Sequence, residues 1–176
     1  GDYIAISAPS WQTQAEGEKN GKIFIYKYDN TQANNQNIWK QSQVQVIDPP
    51  HTGHYNDSTD LNKGFGAMME MDDKHLIVSF QNGSQANPPD DTLRHGLVFI
   101  YEKTGTGDST FEYKQTLKDS LGGSTKYFGH NISLSGNYLV VGSPYADPIS
   151  ASNSGAIYVY KKVNGVWKQI QKITNH

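Results

Sequence analysis

The chain carries the stretch Gly136-Asn137-Tyr138-Leu139-Val140-Val141-Gly142-Ser143-Pro144, of which Gly1-Asp2-Tyr3-Ile4-Ala5-Ile6-Ser7-Ala8-Pro9 is a close copy. A weaker copy lies between them, Asp73-Lys74-His75-Leu76-Ile77-Val78-Ser79-Phe80-Gln81. Each copy is apolar along most of its middle, which predicts a β-strand buried on both faces. The proline ends the strand because it has no backbone N–H to donate. A unit that recurs every roughly 60 to 70 residues predicts an array of small sheets that bury their faces on one another.

Two further features follow each copy in the same order. A glycine followed by an apolar and aromatic run occurs at Gly21–Tyr26, Gly96–Tyr101 and Gly155–Tyr160, and an aromatic-Lys-Gln triplet occurs at Trp39–Gln41, Tyr113–Gln115 and Trp167–Gln169. In the last repeat, Asn164-Gly165 is typical of a β-hairpin turn between the two features. Each complete repeat therefore predicts four antiparallel strands, of which the two central ones are the more apolar.

The repeats divide the chain into residues 1–62, 63–125 and 126–176 of a single repeat domain. Sheets that are apolar on both sides need a neighbour on each side, and stacking around an axis supplies one, as in a propeller. We therefore predict an all-β fold, a β-propeller segment of about three four-stranded antiparallel blades. The first blade is incomplete because its opening strand is missing. A β-sandwich is the rival architecture, but a sandwich does not need a repeat of this length.

Two Phe-Gly pairs carry a family resemblance. Phe65-Gly66 and Phe128-Gly129 each precede a strand. In the two stronger copies the apolar strand ends in Ser7-Ala8-Pro9 or Gly142-Ser143-Pro144, whereas the weaker copy has Ser79-Phe80-Gln81 there. This pattern resembles the FG-GAP repeat, which builds the seven-bladed propeller of integrin alpha subunits and of many surface proteins. The trailing aromatic-Lys-Gln triplet is similar to the non-integrin, mostly microbial branch. The resemblance implies a propeller module that mediates adhesion at the cell surface.

The calcium loop of integrin-type repeats has no counterpart here. At its position stand only Met71–Lys74 and Ser135–Asn137, and a calcium loop needs several oxygen ligands spread over about ten residues. The oxygen-rich cluster at 56–62 matches no spacing that would hold a cation, and His51 and His54 are typical of surface residues in a loop. We therefore predict no metal and no cofactor.

Composition excludes several classes of function. The net charge is −2 without a basic cluster, which argues against nucleic acid as a partner. No apolar run approaches the 18 or so residues of a membrane span, and there is no cysteine for disulfide or thiol chemistry. No Gly-x-Ser-x-Gly nucleophile motif is present, and Asp72-Asp73 and Asp90-Asp91 are adjacent pairs in predicted turns. We therefore predict that the domain is not an enzyme.

The segments after the second strand of each repeat are the candidate binding loops: 11–20, 81–94 and 145–154. They differ in length and composition while the strands repeat, and variable loops on a repeated frame are a common site of recognition. The ligand-binding candidates in them are Trp11, Gln12, Asp90, Asp91, Tyr145 and Asp147. Exposed aromatic rings there can stack on a sugar or anchor a protein partner. Of three Asn-x-Ser sequons, Asn82 and Asn56 are the glycosylation candidates, whereas Asn131 is predicted to lie in a strand.

The favoured function is a non-catalytic extracellular or cell-surface module that binds a protein or a glycan. A second hypothesis is a self-assembling subunit of a surface filament or sheath, joined by strand exchange at the open edge of the first blade, because an unpaired edge is a template for pairing. A third is an accessory domain of a larger enzyme.

Overall fold

The chain forms only strands, turns and loops in the part that the computed structural model describes, residues 2–11, 21–29, 38–39, 44–50, 64–81, 96–105, 110–119, 125–146 and 154–174. The strands are β1 (Tyr3–Ala8), β2 (Lys22–Asp29), β3 (Ile38–Trp39), β4 (Gln45–Ile47), β5 (Phe65–Met71), β6 (His75–Phe80), β7 (Leu97–Thr104), β8 (Thr110–Leu117), β9 (Thr125–Lys126), β10 (Asn131–Ser135), β11 (Tyr138–Ser143), β12 (Tyr145–Ala146), β13 (Ala156–Val163) and β14 (Val166–Thr174).

Three antiparallel sheets follow one another along the chain. The first contains β1, β2 and an outer strand in two pieces, since β3 and β4 both pair with β2. The second runs β5-β6-β7-β8, the third runs β10-β11-β13-β14, and the short strands β9 and β12 pair with each other. None of these sheets closes on itself. Three successive antiparallel sheets without a helix confirm the predicted all-β segment of propeller-like sheets.

The pairing register shows which positions are equivalent in the three sheets. Tyr26, Tyr101 and Tyr160 lie opposite Ile4, Leu76 and Leu139, respectively. Hence β1 corresponds to β6 and β11, which are the second strands of their sheets. The described part of the first sheet therefore has no counterpart of β5 and β10, as the sequence predicts.

The second sheet is covered on both sides. Every residue of β6 is buried, and so are residues 97–101 of β7. One face packs on Ile23, Ile25 and Ile47 of the first sheet, and the other packs on the third sheet in a separate core that includes Leu139 and Tyr158. Predicted burial on both faces is confirmed for this sheet.

The same prediction is wrong for the third sheet. Along β11 and the first half of β13, buried residues alternate with exposed or half-buried ones, so that Leu139, Val141 and Tyr158 are buried while Val140 and Ile157 are exposed. The buried side chains face the second sheet. No other described sheet covers the opposite side, where apolar side chains such as Val140 and Ile157 lie together with Lys161.

Glutamine side chains clamp one sheet to the next. Gln45 of the first sheet donates from Nε2 to the carbonyl oxygen of Phe111 and accepts from the N–H of Phe111 through Oε1, both at 2.8 Å. Gln115 of the second sheet bonds the main chain of Trp167 in the same way, at 2.9 and 3.0 Å. Each clamp satisfies two main-chain groups that strand pairing leaves free, which matters because both aromatic residues are buried.

We expect Gln115→Leu to lower the free energy of unfolding by about 2 kcal/mol, because it leaves the N–H and C=O of Trp167 without their partner. The control is Gln171→Leu, at the equivalent position of the third sheet, where the side chain is exposed. That change should stay within about 0.5 kcal/mol of wild type. Urea unfolding of both variants makes the comparison, and equal losses would show that the clamp does not stabilise the sheet contact.

Candidate functional site

Trp11 stands three residues after the end of β1, the strand that is equivalent to β6 and β11. Its N–H donates to the carbonyl of Ala8 at 2.9 Å, and its own carbonyl accepts from Gly21 at 3.3 Å, so its main chain is held between the end of β1 and the start of β2. The indole packs edge-on against Phe24 with ring centres 5.5 Å apart. It nevertheless remains 45% exposed, so much of the side chain is accessible to a ligand.

Tyr145 is held by a different arrangement. It pairs with Lys126 in the small β9–β12 ladder, and its ring meets Tyr127 edge-on at 5.4 Å. Tyr127 adopts φ of 62°, an uncommon conformation for a residue other than glycine. With 47% of its surface exposed, Tyr145 also presents an aromatic ring to solvent from a fixed backbone.

The two aromatic residues are not equivalent, although both closely follow a proline. The carbonyl that accepts from Gly155 belongs to Ala146, so Ala146 is the counterpart of Trp11. Ala146 is buried in the core between the second and third sheets, where a small side chain fits. Trp11 follows β1 of the first sheet, whereas Tyr145 lies in β12, which pairs with β9 and comes after β11 of the third sheet.

The other predicted site residues lie outside the described part of the chain. This applies to the binding candidates Gln12, Asp90, Asp91 and Asp147 and to the glycosylation candidates Asn56 and Asn82. Asn131 lies at the start of β10, as predicted for a strand residue.

A polar network around His75 joins the second and third sheets. Asp72 accepts hydrogen bonds from the N–H groups of Lys74 and His75, and its carboxylate oxygens lie 3.0 Å from His75 Nδ1. Across the sheet contact, Lys162 Nζ lies 2.9 Å from His75 Nε2 and 2.6 Å from Glu102 Oε1. An ammonium group donates to Nε2, so Nδ1 carries the imidazole proton. The indole of Trp167 packs edge-on against the imidazole of His75, with ring centres 5.6 Å apart.

This network ties strands together and buries His75 itself. Asp72 remains partly exposed and lines a cavity of about 510 Å³ together with Tyr3 and Lys103. Partial burial works against ionisation of Asp72, but the hydrogen bonds from His75 and from the two main-chain N–H groups outweigh it and lower the pKa of Asp72. A buried imidazole between a carboxylate and an ammonium group fits a structural role. Within the described residues, no three His, Asp or Glu side chains are placed to hold a metal ion.

Sequence reasoning missed a groove on the open side of the third sheet. It has a volume of about 590 Å³, and its lining includes Gly142, Pro144, Gly155, Ile157 and Ile173. The signal was available, since Ile157 stands in the same place of the repeated Gly-x-apolar-aromatic run as Ile23 and Val98. Both of those residues are buried under a neighbouring sheet.

Comparison with protein families gives one finding about this architecture. A family model described as the FG-GAP repeat matches residues 112–160, from β8 into β13. The match includes Phe128-Gly129 and Gly142-Ser143-Pro144, the residues that carry the resemblance in the sequence, and it supports that assignment. A search among curated proteins gives no significant match. Among the described residues there is no helix long and apolar enough to cross a membrane.

Proposed function

Because this chain carries an FG-GAP repeat within a stack of propeller-like sheets, we propose that it is a non-catalytic interaction module of an extracellular or cell-surface protein. Its ligand is a protein or a glycan. The observation that carries the proposal is that Trp11 and Tyr145 are each nearly half exposed, while main-chain contacts hold their backbones next to β1 and within β12. Aromatic rings on a rigid frame lose little conformational entropy on binding, so they are effective contacts.

The His75 network supports the non-catalytic part of the proposal. His75 is buried, and Asp72, Lys162 and Trp167 lie against its ring. A general base must reach the proton that it removes. An imidazole with both ring nitrogens occupied and an indole against its ring does not offer that access.

The test compares the wild type with Trp11→Ala/Tyr145→Ala on arrays of glycans and of extracellular protein domains. We expect the wild type to bind a defined set of spots and the double variant to bind them about tenfold more weakly or less, because buried aromatic anchors carry much of an interface's energy. The control is Tyr113→Ala, which removes an exposed tyrosine on the outer strand of the second sheet. Unchanged binding by the double variant would remove these two residues from the proposal.

A second candidate function follows from β1. Within the described residues β1 pairs with β2 on one side only, whereas its counterparts β6 and β11 have a strand on each side. A free strand edge accepts a strand from another chain, so self-assembly through β1 is the alternative. Replacing Ala5 in the middle of β1 with proline should disrupt assembly by this route, and sedimentation of both proteins over a range of concentrations would show it.

A further inference from the structure

The open side of the third sheet repeats a surface that is covered elsewhere in the molecule. Val98 in the second sheet lies opposite Leu117, and at the equivalent positions of the third sheet Ile157 lies opposite Ile173. Val98 and Leu117 are 0% and 4% exposed because the third sheet packs on them, whereas Ile157 and Ile173 are 44% and 45% exposed. All four side chains are aliphatic, so the difference in exposure comes from the presence or absence of a packed neighbouring sheet.

The covered surface has a specific contact with a Phe-Gly pair. Gly96, at the start of β7, approaches the main chain of Phe128 so closely that an added Cβ would collide with the Phe128 carbonyl oxygen. A Cβ on Gly129 would lie 2.9 Å from Val98 Cγ2. Gly21 makes the same approach to the main chain of Phe65. Each Phe-Gly pair thus docks against the glycine that precedes the third strand of the previous sheet.

The groove on the third sheet is the next position in this series. Gly155 is the counterpart of Gly21 and Gly96, and the nearest atom to a Cβ placed on it is the Pro144 carbonyl oxygen, at 3.2 Å. Five residues that line the groove, Gly142, Ser143, Gly155, Ala156 and Ile157, are equivalent to Ser79, Phe80, Gly96, Leu97 and Val98. Of the second set, all but Phe80 lie against Phe128-Gly129. The groove therefore has the lining that receives a Phe-Gly pair.

Gln171 continues the series of glutamine clamps. It lies opposite Val159, just as Gln45 lies opposite Ile25 and Gln115 opposite Ile100. Gln45 and Gln115 each bond the main chain of an aromatic residue in the next sheet, while Gln171 is exposed. The exposed amide is in position to bond another main chain in the same two-point manner.

We propose that this face, made of the groove at Gly155, the side chains of Ile157 and Ile173, and the amide of Gln171, is the docking site for another FG-GAP-type sheet. That sheet enters with a Phe-Gly pair and presents the main chain of an outer-strand aromatic residue to Gln171. A second copy of this chain does not fit the description. Its Phe65 and Phe128 are fully buried against its own sheets, and the described part of its first sheet has no Phe-Gly strand.

The absence of cysteine allows a direct test of this face. The probe is a fusion in which Ile173 is followed by a second copy of residues 118–174, which reproduces the spacing between the second and third sheets because Ile173 is equivalent to Leu117. We expect Ile157→Cys to react with a thiol reagent at least tenfold more slowly in the fusion than in the unfused chain. Adding Gln171→Leu, or Phe128→Ser in the appended copy, should restore much of the reactivity.

The matched control is Val166→Cys on the same face. Its counterpart in the second sheet, Thr110, stays exposed although the third sheet is docked there, so its reactivity should be equal in both proteins. Equal labelling of Ile157→Cys in the two proteins would overturn the proposal, and so would protection of Val166→Cys, which would indicate non-specific association. Protection of Ile157→Cys in the unfused chain at high concentration would show that a second copy occupies the face instead. Labelling needs no ligand, so the result is independent of the array experiment.

Discussion

Gly96→Ala is expected to destabilise the protein by about 3 kcal/mol, through a collision between neighbouring sheets. Gly96 has φ of 76°, where a residue with a Cβ is strained by about 1 kcal/mol. The larger part comes from the added Cβ itself, which would fall on the main chain of Phe128. Main-chain atoms of a neighbouring sheet cannot move aside as a flexible side chain can, so the second and third sheets must separate locally.

Two glycines with nearly the same backbone conformation separate these effects. Gly165 has φ of 79°, and no atom lies within 4 Å of the place that an added Cβ would take, so Gly165→Ala measures the conformational strain alone and should cost about 1 kcal/mol. Gly155→Ala, also at φ of 79°, should give an intermediate loss, since the added Cβ would lie 3.2 Å from the Pro144 carbonyl oxygen, a tight contact but not the overlap found at Gly96. Urea unfolding curves give the three values. A loss for Gly96→Ala no larger than that for Gly165→Ala would refute close packing between these sheets.

The repeat allowed the fold to be predicted because its strands are marked by both apolar runs and turn residues. The second sheet's central strands, predicted within Asp73–Gln81 and Gly96–Tyr101, are β6 and β7. The hairpin at Asn164-Gly165 has positive φ at both residues, as a two-residue turn of that composition requires. Burial of the third sheet was overpredicted because an apolar pattern shows which faces can be covered. It does not show whether a neighbour is present to cover them.

The aromatic-Lys-Gln triplet was aligned wrongly in the second repeat. The register places Phe111, opposite Lys103, at the position of Trp167, opposite Lys162, so the matched triplet starts two residues too late at Tyr113. Phe111 is buried and Tyr113 is exposed. Residues two apart lie on the same face of a strand, so alternation of polar and apolar residues cannot tell these two alignments apart. The contact with Gln45 does tell them apart, and only the fold supplies it.

The candidate site was predictable only in part. The position of a residue in a loop indicates that its side chain is exposed, but the order of the sheets decides which residues it contacts. Trp11 and Tyr145 were expected to be exposed aromatics, and they are. The role of Ala146 as the counterpart of Trp11 was available from the repeat, since each stands two residues after the proline, and the main-chain hydrogen bonds agree. The groove at Gly155 was missed because the apolar pattern of a strand identifies an apolar face but does not show whether another sheet covers that face.

Asp119 provides the second large effect, since its carboxylate is buried where the chain passes from the second sheet to the third. Its side chain is only 1% exposed, and Oδ2 accepts a hydrogen bond from the Tyr158 hydroxyl at 2.9 Å and lies 3.3 Å from Lys172 Nζ. We expect Asp119→Ala to cost about 3 kcal/mol, because it leaves a largely buried ammonium group and a buried hydroxyl without this acceptor. The control is Asp48→Ala, which breaks the exposed ion pair with Lys22 and should cost less than about 1 kcal/mol.

A second measurement distinguishes loss of this carboxylate from a general loosening of the fold. Burial, the hydrogen bond to Asp119 and the negative charge of Asp119 together raise the pKa of Tyr158 above its ordinary value of 10.0. Removing the carboxylate removes the second and third causes, so the pKa of Tyr158 should fall in Asp119→Ala while the protein stays folded. Ultraviolet titration of the tyrosines, with Tyr158→Phe to identify the signal, measures the change. If the Tyr158 signal does not move, or if Asp119→Ala costs no more than Asp48→Ala, the buried carboxylate does not join the two sheets in the way its contacts indicate.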